Sequence, residues 1–332
     1  LNSGVLLPSG YGLLAHYAHR RLGSVPKEAI GFCGILEYIT ARLSGTLPTA
    51  ADPSCLGTYG GFDPVTNRFD QGLLEEVFGE KGACFLSASE PFSIAGESES
   101  GALLTHAVGD NQAGFFGMVS YWETSALVSI GTSGQISLFS KSSECPKAME
   151  LRPFVGEGFL YVGATLTAGK AYERVQQLFL TVANAAGAAV NSDMIYALMH
   201  AEAAKIAGTD LRFDPRLTGS RSEPFARGSL SNITLDNLSM GEVTLAAIEG
   251  IVHELWEFGA QAAHLEQIVA TGNAVVRNPL FVHALERAFS LPVSCARIDD
   301  GAGFGAALIA KIASGKLSVA DRSPLVRRIL GT

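Results

Sequence analysis

The chain has 332 residues, more than one ordinary core holds and suited to two domains of roughly 100–200 residues with a cleft between them. Hydrophobic residues make up 47% and charged residues 17%, the balance of a globular chain with a large buried core. The formal charge of −8, from 32 acids and 24 bases with no Lys or Arg run, speaks against nucleic acid or an anionic membrane as main partner.

Anionic substrates stay open, because backbone N–H groups and a bound metal hold phosphates without a basic surface. The five cysteines, Cys33, Cys55, Cys84, Cys145 and Cys295, are widely spaced and form no CxxC pair, which points to a reduced cytoplasm and no structural zinc. No apolar stretch reaches the ~18 residues of a membrane span, and no basic n-region precedes an apolar h-region. The chain starts at Leu1 rather than Met and its first residues read as the middle of an element, as in a fragment.

In chain order, Tyr11 to Leu22 has helical spacing. His16 and His19 lie three apart on it, but no third ligand follows in a metal-binding spacing, so a partly exposed helical face is expected. A second helix is predicted over 30–43, then a Gly-rich loop (Gly57, Gly60, Gly61) and a helix near Asp70. Residues 102–109 read as an apolar strand or buried loop, and 112–121 as a helix whose N-terminus falls at or just after Asp110. Position alone favours Asp110 as a helix cap.

Strands are expected at 126–130 and 135–139 around Gly131-Thr132-Ser133-Gly134, which makes a hairpin. A domain boundary is placed at 123–125. Beyond it, 161–165 reads as a strand, 168–180 and 192–206 as helices, and 214–227 as a loop with a network of charges. Ser239-Met240-Gly241-Glu242 fits a capping box and opens an amphipathic helix, on which His253 is an ordinary residue. A strand at 267–270, a turn over 271–277 and a helix started by Asn278-Pro279 follow. Gly301 to Gly305 opens a small-residue helix suited to tight packing.

Three of these loops carry possible chemistry. Phosphoryl transfer needs backbone donors for phosphates, a divalent metal and an acceptor for the nucleophile's proton. The turn Gly131–Gly134 can turn its N–H groups on a phosphate, with Thr132 and Ser133 adding hydroxyls, although such turns are usually only turns. Thr271-Gly272-Asn273-Ala274 stands at a strand's C-terminal end, where open α/β sheets bind ligands, and plain strand-to-helix packing explains it equally well. It is neither a Walker A loop nor a GxGxxG fingerprint. Asp110 is ionised at neutral pH as an ordinary carboxylate, and so can receive a proton.

Taken together and in this order, GDNQAGFFG, GTSG and TGNAVVRNP resemble the FGGY carbohydrate kinases, sugar kinases of the actin/hexokinase/Hsp70-like superfold. The likeness runs from SGYG near the start through RPFVGEGFLYVGATLTAGKAY to DDGAGFGAALIA. It implies two ribonuclease H-like α/β domains, 1–122 and 123–332, with ATP and Mg²⁺ in the cleft between them and a hinge near 120–125. It further implies that Asp110 is the catalytic base and touches Mg²⁺ through water, and that Asn111 beside it contacts the sugar. By the same likeness Gly131, Thr132 and Ser133 hold the β- and γ-phosphates, Gly272 and Asn273 the α-phosphate, and Gly169 lies near the nucleotide and Asn278 near its adenine.

Within the family, ELRPF and YVGATLTAGKAY are most similar to sedoheptulokinases, with xylulokinase-like and glycerol kinase-like substrates as alternatives. Three departures stand out. The family's Gly-Gly-Gly loop is Gly272-Asn273-Ala274, and in its Gly-Glu-Arg-x-x-Pro loop Ser220 replaces the acid, removing an expected ion pair. The family's Asp-x-Gly-Thr hairpin and sugar-binding stretch do not appear after Leu1, so the first domain is expected to lack its N-terminal part. The rival readings are a nucleotide-binding switch protein of the same superfold and an inactive fragment. Neither nucleic acid nor membrane is an expected partner, a small sugar is, and no residue pattern indicates the oligomeric state.

Overall fold

The computed structural model describes residues 10–29, 31–79, 86–259, 264–296 and 298–330. Leu1, Ile30 and Cys84 lie outside the described residues.

The first part of the chain is made of short pieces. They are α1 (Gly12–Arg21), α2 (Ile35–Ser44), β1 (Ala50–Ala51), α3 (Pro53–Leu56), β2 (Phe62–Asp63), β3 (Arg68–Phe69), α4 (Gln71–Phe78), β4 (Ser87–Ala88), β5 (Ile94–Glu97) and β6 (Leu103–Thr105). Its strands pair only two by two, β1 with β4, β2 with β3 and β5 with β6. A small core of Leu13, Leu56, Tyr59, Phe69, Leu73 and Val77 holds them together. Asp70 accepts the Leu73 N–H at 3.0 Å and thereby starts α4 after β3, while its own N–H reaches back to the carbonyl of Gly61 at 2.8 Å, in a turn where Gly60 and Gly61 both have positive φ.

Two expectations change here. The helix predicted from residue 30 begins at Ile35, because Gly34 is extended at ψ 173 and acts as its N-cap. The stretch 102–109 is a strand only at Leu103–Thr105, half-buried and paired with β5 alone.

The remainder comprises α5 (Asp110–Met118), β7 (Ser125–Ile130), β8 (Gly134–Ser140), β9 (Glu150–Pro153), β10 (Phe159–Thr165), α6 (Gly169–Ala185), α7 (Ser192–Ala203), β11 (Arg212–Asp214), β12 (Ser229–Ser231) and α8 (Met240–Gly259). Then come β13 (Gln267–Thr271), α9 (Asn273–Arg277), α10 (Pro279–Phe289), β14 (Val293–Cys295), α11 (Gly301–Ala313) and α12 (Val319–Leu330). Six strands form one sheet in the order β14-β13-β7-β8-β10-β9. The first three are parallel and the rest antiparallel.

Both faces of this sheet are covered, so its strands are apolar on both sides. Along β7, Ala126, Val128 and Ile130 pack into the layer of α6, α7, α8 and α10, while Leu127 joins the layer of α5, α11 and α12. The alternation follows from the two-residue repeat of a strand. Ser239 Oγ accepts the Glu242 N–H at 3.2 Å and starts α8 as the capping box predicts.

Helix α5 belongs to the core of this sheet, burying Phe115, Phe116 and Met118 against α11 and α12. It begins at Asp110, as expected, and stops at Met118 rather than at 121, because Val119 turns extended (φ −99, ψ 113). Against α11 it has no room for side chains: a Cβ on Gly117 would stand 2.7 Å from the Gly301 carbonyl and the Gly305 nitrogen. The predicted turn over 271–277 contains the short α9. Helix α12 was not expected, since Pro324 inside it and the charged Asp321, Arg322, Arg327 and Arg328 mask its apolar Val326 and Leu330.

Candidate active site

Strands β7 and β13 run parallel with Ser129 opposite Thr271, so the loops at their C-terminal ends leave the sheet side by side. Gly272 has φ +97 and ψ 155, a backbone conformation reserved for glycine. A Cβ there would sit 2.7 Å from the Ile130 carbonyl carbon, so this glycine is what lets the second loop lie against the first.

The start of α6 completes the group. Gly169 donates its N–H to the Gly131 carbonyl at 2.9 Å, and the N–H groups of Ala168 and Lys170 both reach the Thr132 carbonyl at 3.1 Å. With no side-chain cap on α6, the hairpin tip does the capping through its carbonyls. Thr132 and Ser133 are exposed and their own N–H groups donate to no group among the described residues. These are the donors open to an anion.

Asn278 is 2% exposed and serves two elements. Its Oδ1 accepts the Leu280 N–H at 3.1 Å as the cap of α10, and its Nδ2 donates to the Tyr172 hydroxyl on α6 at 3.3 Å. Burial raises the Tyr172 phenol pKa, keeping it neutral. Asn273 opens α9 and is exposed.

Asp110 is the first residue of α5 and exposed, and Gly109 is the N-cap. The carboxylate does not cap the helix in the usual way: its Oδ1 accepts only the N–H of its neighbour Asn111, at 2.7 Å. Three bonds hold this helix start. Gly109 donates its N–H to Ser54 Oγ at 2.9 Å, and Ser54 in turn donates to the buried Asp52 at 2.5 Å. Gln112 Nε2 donates to the Pro153 carbonyl at 3.1 Å. Asn111 Nδ2 donates to Ser137 Oγ at 3.2 Å, on the strand that leaves the hairpin tip.

The structure thus brings Gly131, Thr132, Ser133, Gly169, Gly272 and Asn278 together, and links Asp110 to them through Asn111. The Asn111 amide nitrogen is engaged with Ser137, while its Oδ1 is buried with no hydrogen-bond partner among the described residues.

Sequence reasoning missed Asp52, Ser54, Ser137 and Arg152. Arg152 is bound by Glu150 at 2.6 Å, and burial lowers its pKa while the charges of Tyr11 and Asp110 push the other way. A cation therefore stands near the Asp110 carboxylate. Glu150 also pairs with Arg221, which supplies an ion pair for the loop where Ser220 replaces the family's acid. Of these four residues, Arg152 lies in ELRPF and Ser137 in the strand expected at 135–139, and Asp52 and Ser54 lie in no motif of the sequence.

Among the described residues no group of three or more His, Cys, Asp or Glu side chains could hold a metal. Mg²⁺ needs no such cage, since one or two carboxylates plus substrate phosphates and water hold it, and Asp110 fits that role. His16 packs its ring against Phe32 and Phe78, with centroids 5.1 and 4.8 Å away, and burial lowers its pKa. His253 stacks on Trp256 at 5.4 Å. A cavity of about 510 Å³ lies between α8, α10, β11 and β12, and none of the predicted site residues lines it.

Residues 126–314 match the FGGY family of carbohydrate kinases, C-terminal domain. The match covers more than half of the chain, which therefore belongs to the FGGY family of carbohydrate kinases. The sedoheptulokinase of Mus musculus is 27% identical over 300 residues, which are 83% of this chain and 61% of that protein. The chain thus spans 61% of the length of this curated relative. Gluconate kinase from Lactobacillus acidophilus overlays with a TM-score of 0.81 at 19% identity, covering 96% of this chain and 65% of that one. Plasmodium falciparum glycerol kinase with ADP overlays with a TM-score of 0.82 at 15% identity, covering 98% of this chain and 67% of that one. These overlays establish the fold, the actin/hexokinase-like α/β architecture of sugar kinases. No helix among the described residues is long and apolar enough to cross a membrane.

Proposed function

We propose that this protein works as an ATP-dependent sugar kinase of the cytoplasm, with sedoheptulose as substrate and sedoheptulose 7-phosphate as product. The observation that carries the reading is the Asn111 to Ser137 hydrogen bond, which joins the helix headed by Asp110 to the hairpin with free N–H groups. Asp110 accepts the proton of the attacking hydroxyl, which in a loose transition state leaves late, so orienting that hydroxyl is much of its task. Asn111 stands on the sugar side of the same helix end. The Thr132 and Ser133 N–H groups hold the phosphate tail as fixed dipoles, Gly272 and Asn273 border the α-phosphate, and Gly169 and Asn278 border the rest of the nucleotide. Asp110 would hold Mg²⁺ through water, and the metal would supply charge neutralisation at the phosphates.

The reading divides the sequence at 122/123 into a sugar side and a nucleotide side, with α5, packed in the core of the nucleotide-side sheet, staying with that sheet when the cleft closes. Likeness to sedoheptulokinase over most of the chain, including ELRPF, supports the choice of sugar. In the full-length natural protein, Asp110→Asn is expected to lower turnover by ~10² to 10⁴ with the KM for ATP kept within about twofold. Unchanged turnover would end the assignment. Coupled ADP release over ketoses and polyols identifies the sugar, and a higher kcat/KM for xylulose or glycerol would replace sedoheptulose.

A further inference from the structure

Arg322 on α12 is fully buried and pairs with no carboxylate among the described residues. All five of its N–H groups are nonetheless satisfied. Nε donates to the Phe116 carbonyl at 2.7 Å, Nη2 to the Phe116 and Val119 carbonyls, and Nη1 to the Ser120 carbonyl at 3.1 Å and Ser323 Oγ at 3.3 Å. The guanidinium lies 4.8 Å from the Phe116 ring centre and 4.9 Å from that of Trp122. Burial pushes its pKa down to about 9, so it remains charged at neutral pH.

The counter-charge is the end of a helix. Of the carbonyls Arg322 takes, Phe116 lies in the last turn of α5, at the helix's negative pole, while Val119 is the C-cap and Ser120 follows it, and a cation there is favourable. Asp110 heads the same helix, six residues and about 9 Å before Phe116. Gly117 and Gly305 leave α5 and α11 in backbone contact, which fixes the side of α5. Arg322 fixes its end.

We infer that Arg322 is a positioning residue for phosphoryl transfer: its grip on the far end of α5 sets where the Asp110 carboxylate stands relative to the hairpin. The inference rests on Asp110 being the base. A residue that only stabilised the fold would loosen the protein as a whole, and its effect on turnover would not depend on whether Asp110 is intact.

The test places Arg322→Met and Arg322→Lys in the full-length protein, each with Asp110 intact and as Asp110→Asn. Arg322→Met should lower kcat about 10- to 100-fold, the scale of a small misplacement, with the KM for ATP within about twofold. Amide exchange should quicken over 113–120 while β7 and β13 keep their protection, and Arg322→Lys should recover part of both. With Asp110→Asn, Arg322→Met should lower kcat by no more than about twofold further, because a missing base cannot be misplaced. A wild-type kcat for Arg322→Met, or the same loss in both backgrounds, overturns the inference. Should Arg322→Met not fold, Arg322→Lys is read in the same way, and a wild-type kcat for it overturns the inference. Should the unmutated protein transfer no phosphoryl group, the kinase reading fails on its own, and exchange alone decides the grip: unchanged protection over 113–120 in either variant overturns it.

Discussion

Asn111 donates its side-chain amide to Ser137 Oγ at 3.2 Å, and that bond ties the residue beside Asp110 to the strand leaving the hairpin tip. Ser137 is fully buried and also accepts the Gln135 amide at 3.2 Å. Ser137→Ala would leave two part-buried amides without their acceptor. We expect a loss of about 1–2 kcal/mol in chemical denaturation, since an unsatisfied buried donor keeps its desolvation cost. Turnover should fall about tenfold as the helix start shifts against the hairpin. Wild-type values for both would show that the tie is idle.

Gly272 lies at φ +97 and presses on the Ile130 carbonyl. Gly272→Ala is expected to displace the loop of residues 272–278, because the conformation costs a residue with a Cβ about 1–3 kcal/mol. The KM for ATP should rise about tenfold while the KM for the sugar stays within about twofold. Equal rises in both would place the loop away from the nucleotide.

Glu254, on α8 beside the cavity, has a buried Oε2 with no hydrogen-bond partner among the described residues. Burial pushes its pKa up to about 7; Arg216 opposes the shift, and Asp214 and Glu257 add to it. In the unfolded chain a Glu titrates near 4.3. Below that pH both states hold the proton and the group contributes nothing. Between about 4.3 and about 7 the unfolded chain releases its proton while the folded one keeps it, so stability falls as pH rises, and the penalty is complete above 7. Glu254→Gln should therefore match the parent in Tm near pH 4 and exceed it above pH 7. A gap that does not change with pH would refute this account.

Much of the architecture was legible because its signals are local. The hairpin of β7 and β8 shows itself in two alternating runs around four small residues, and α8 in a capping box followed by a helical stripe. Helix α12 was not legible, because Pro324 and four charges hide a stripe that only its neighbours make apolar. The capping role of Asp110 was misjudged for a related reason: Asp110 looks like a cap, and whether it caps or begins the helix depends on Ser54, 55 residues before Gly109, holding the N-cap position.

By itself, then, the order of residues determined the strands of the hairpin, the starts of α5 and α8 and the three loops with ligand-binding character, all of which depend on backbone preferences repeating over a few positions. Only the tertiary structure decided that those loops share one end of a sheet, that Asn111 reaches Ser137 and that Arg322 closes the end of α5 from 206 residues away. Contacts of that span are chosen by packing and by the need to satisfy buried polar groups, and neither leaves a period in the chain.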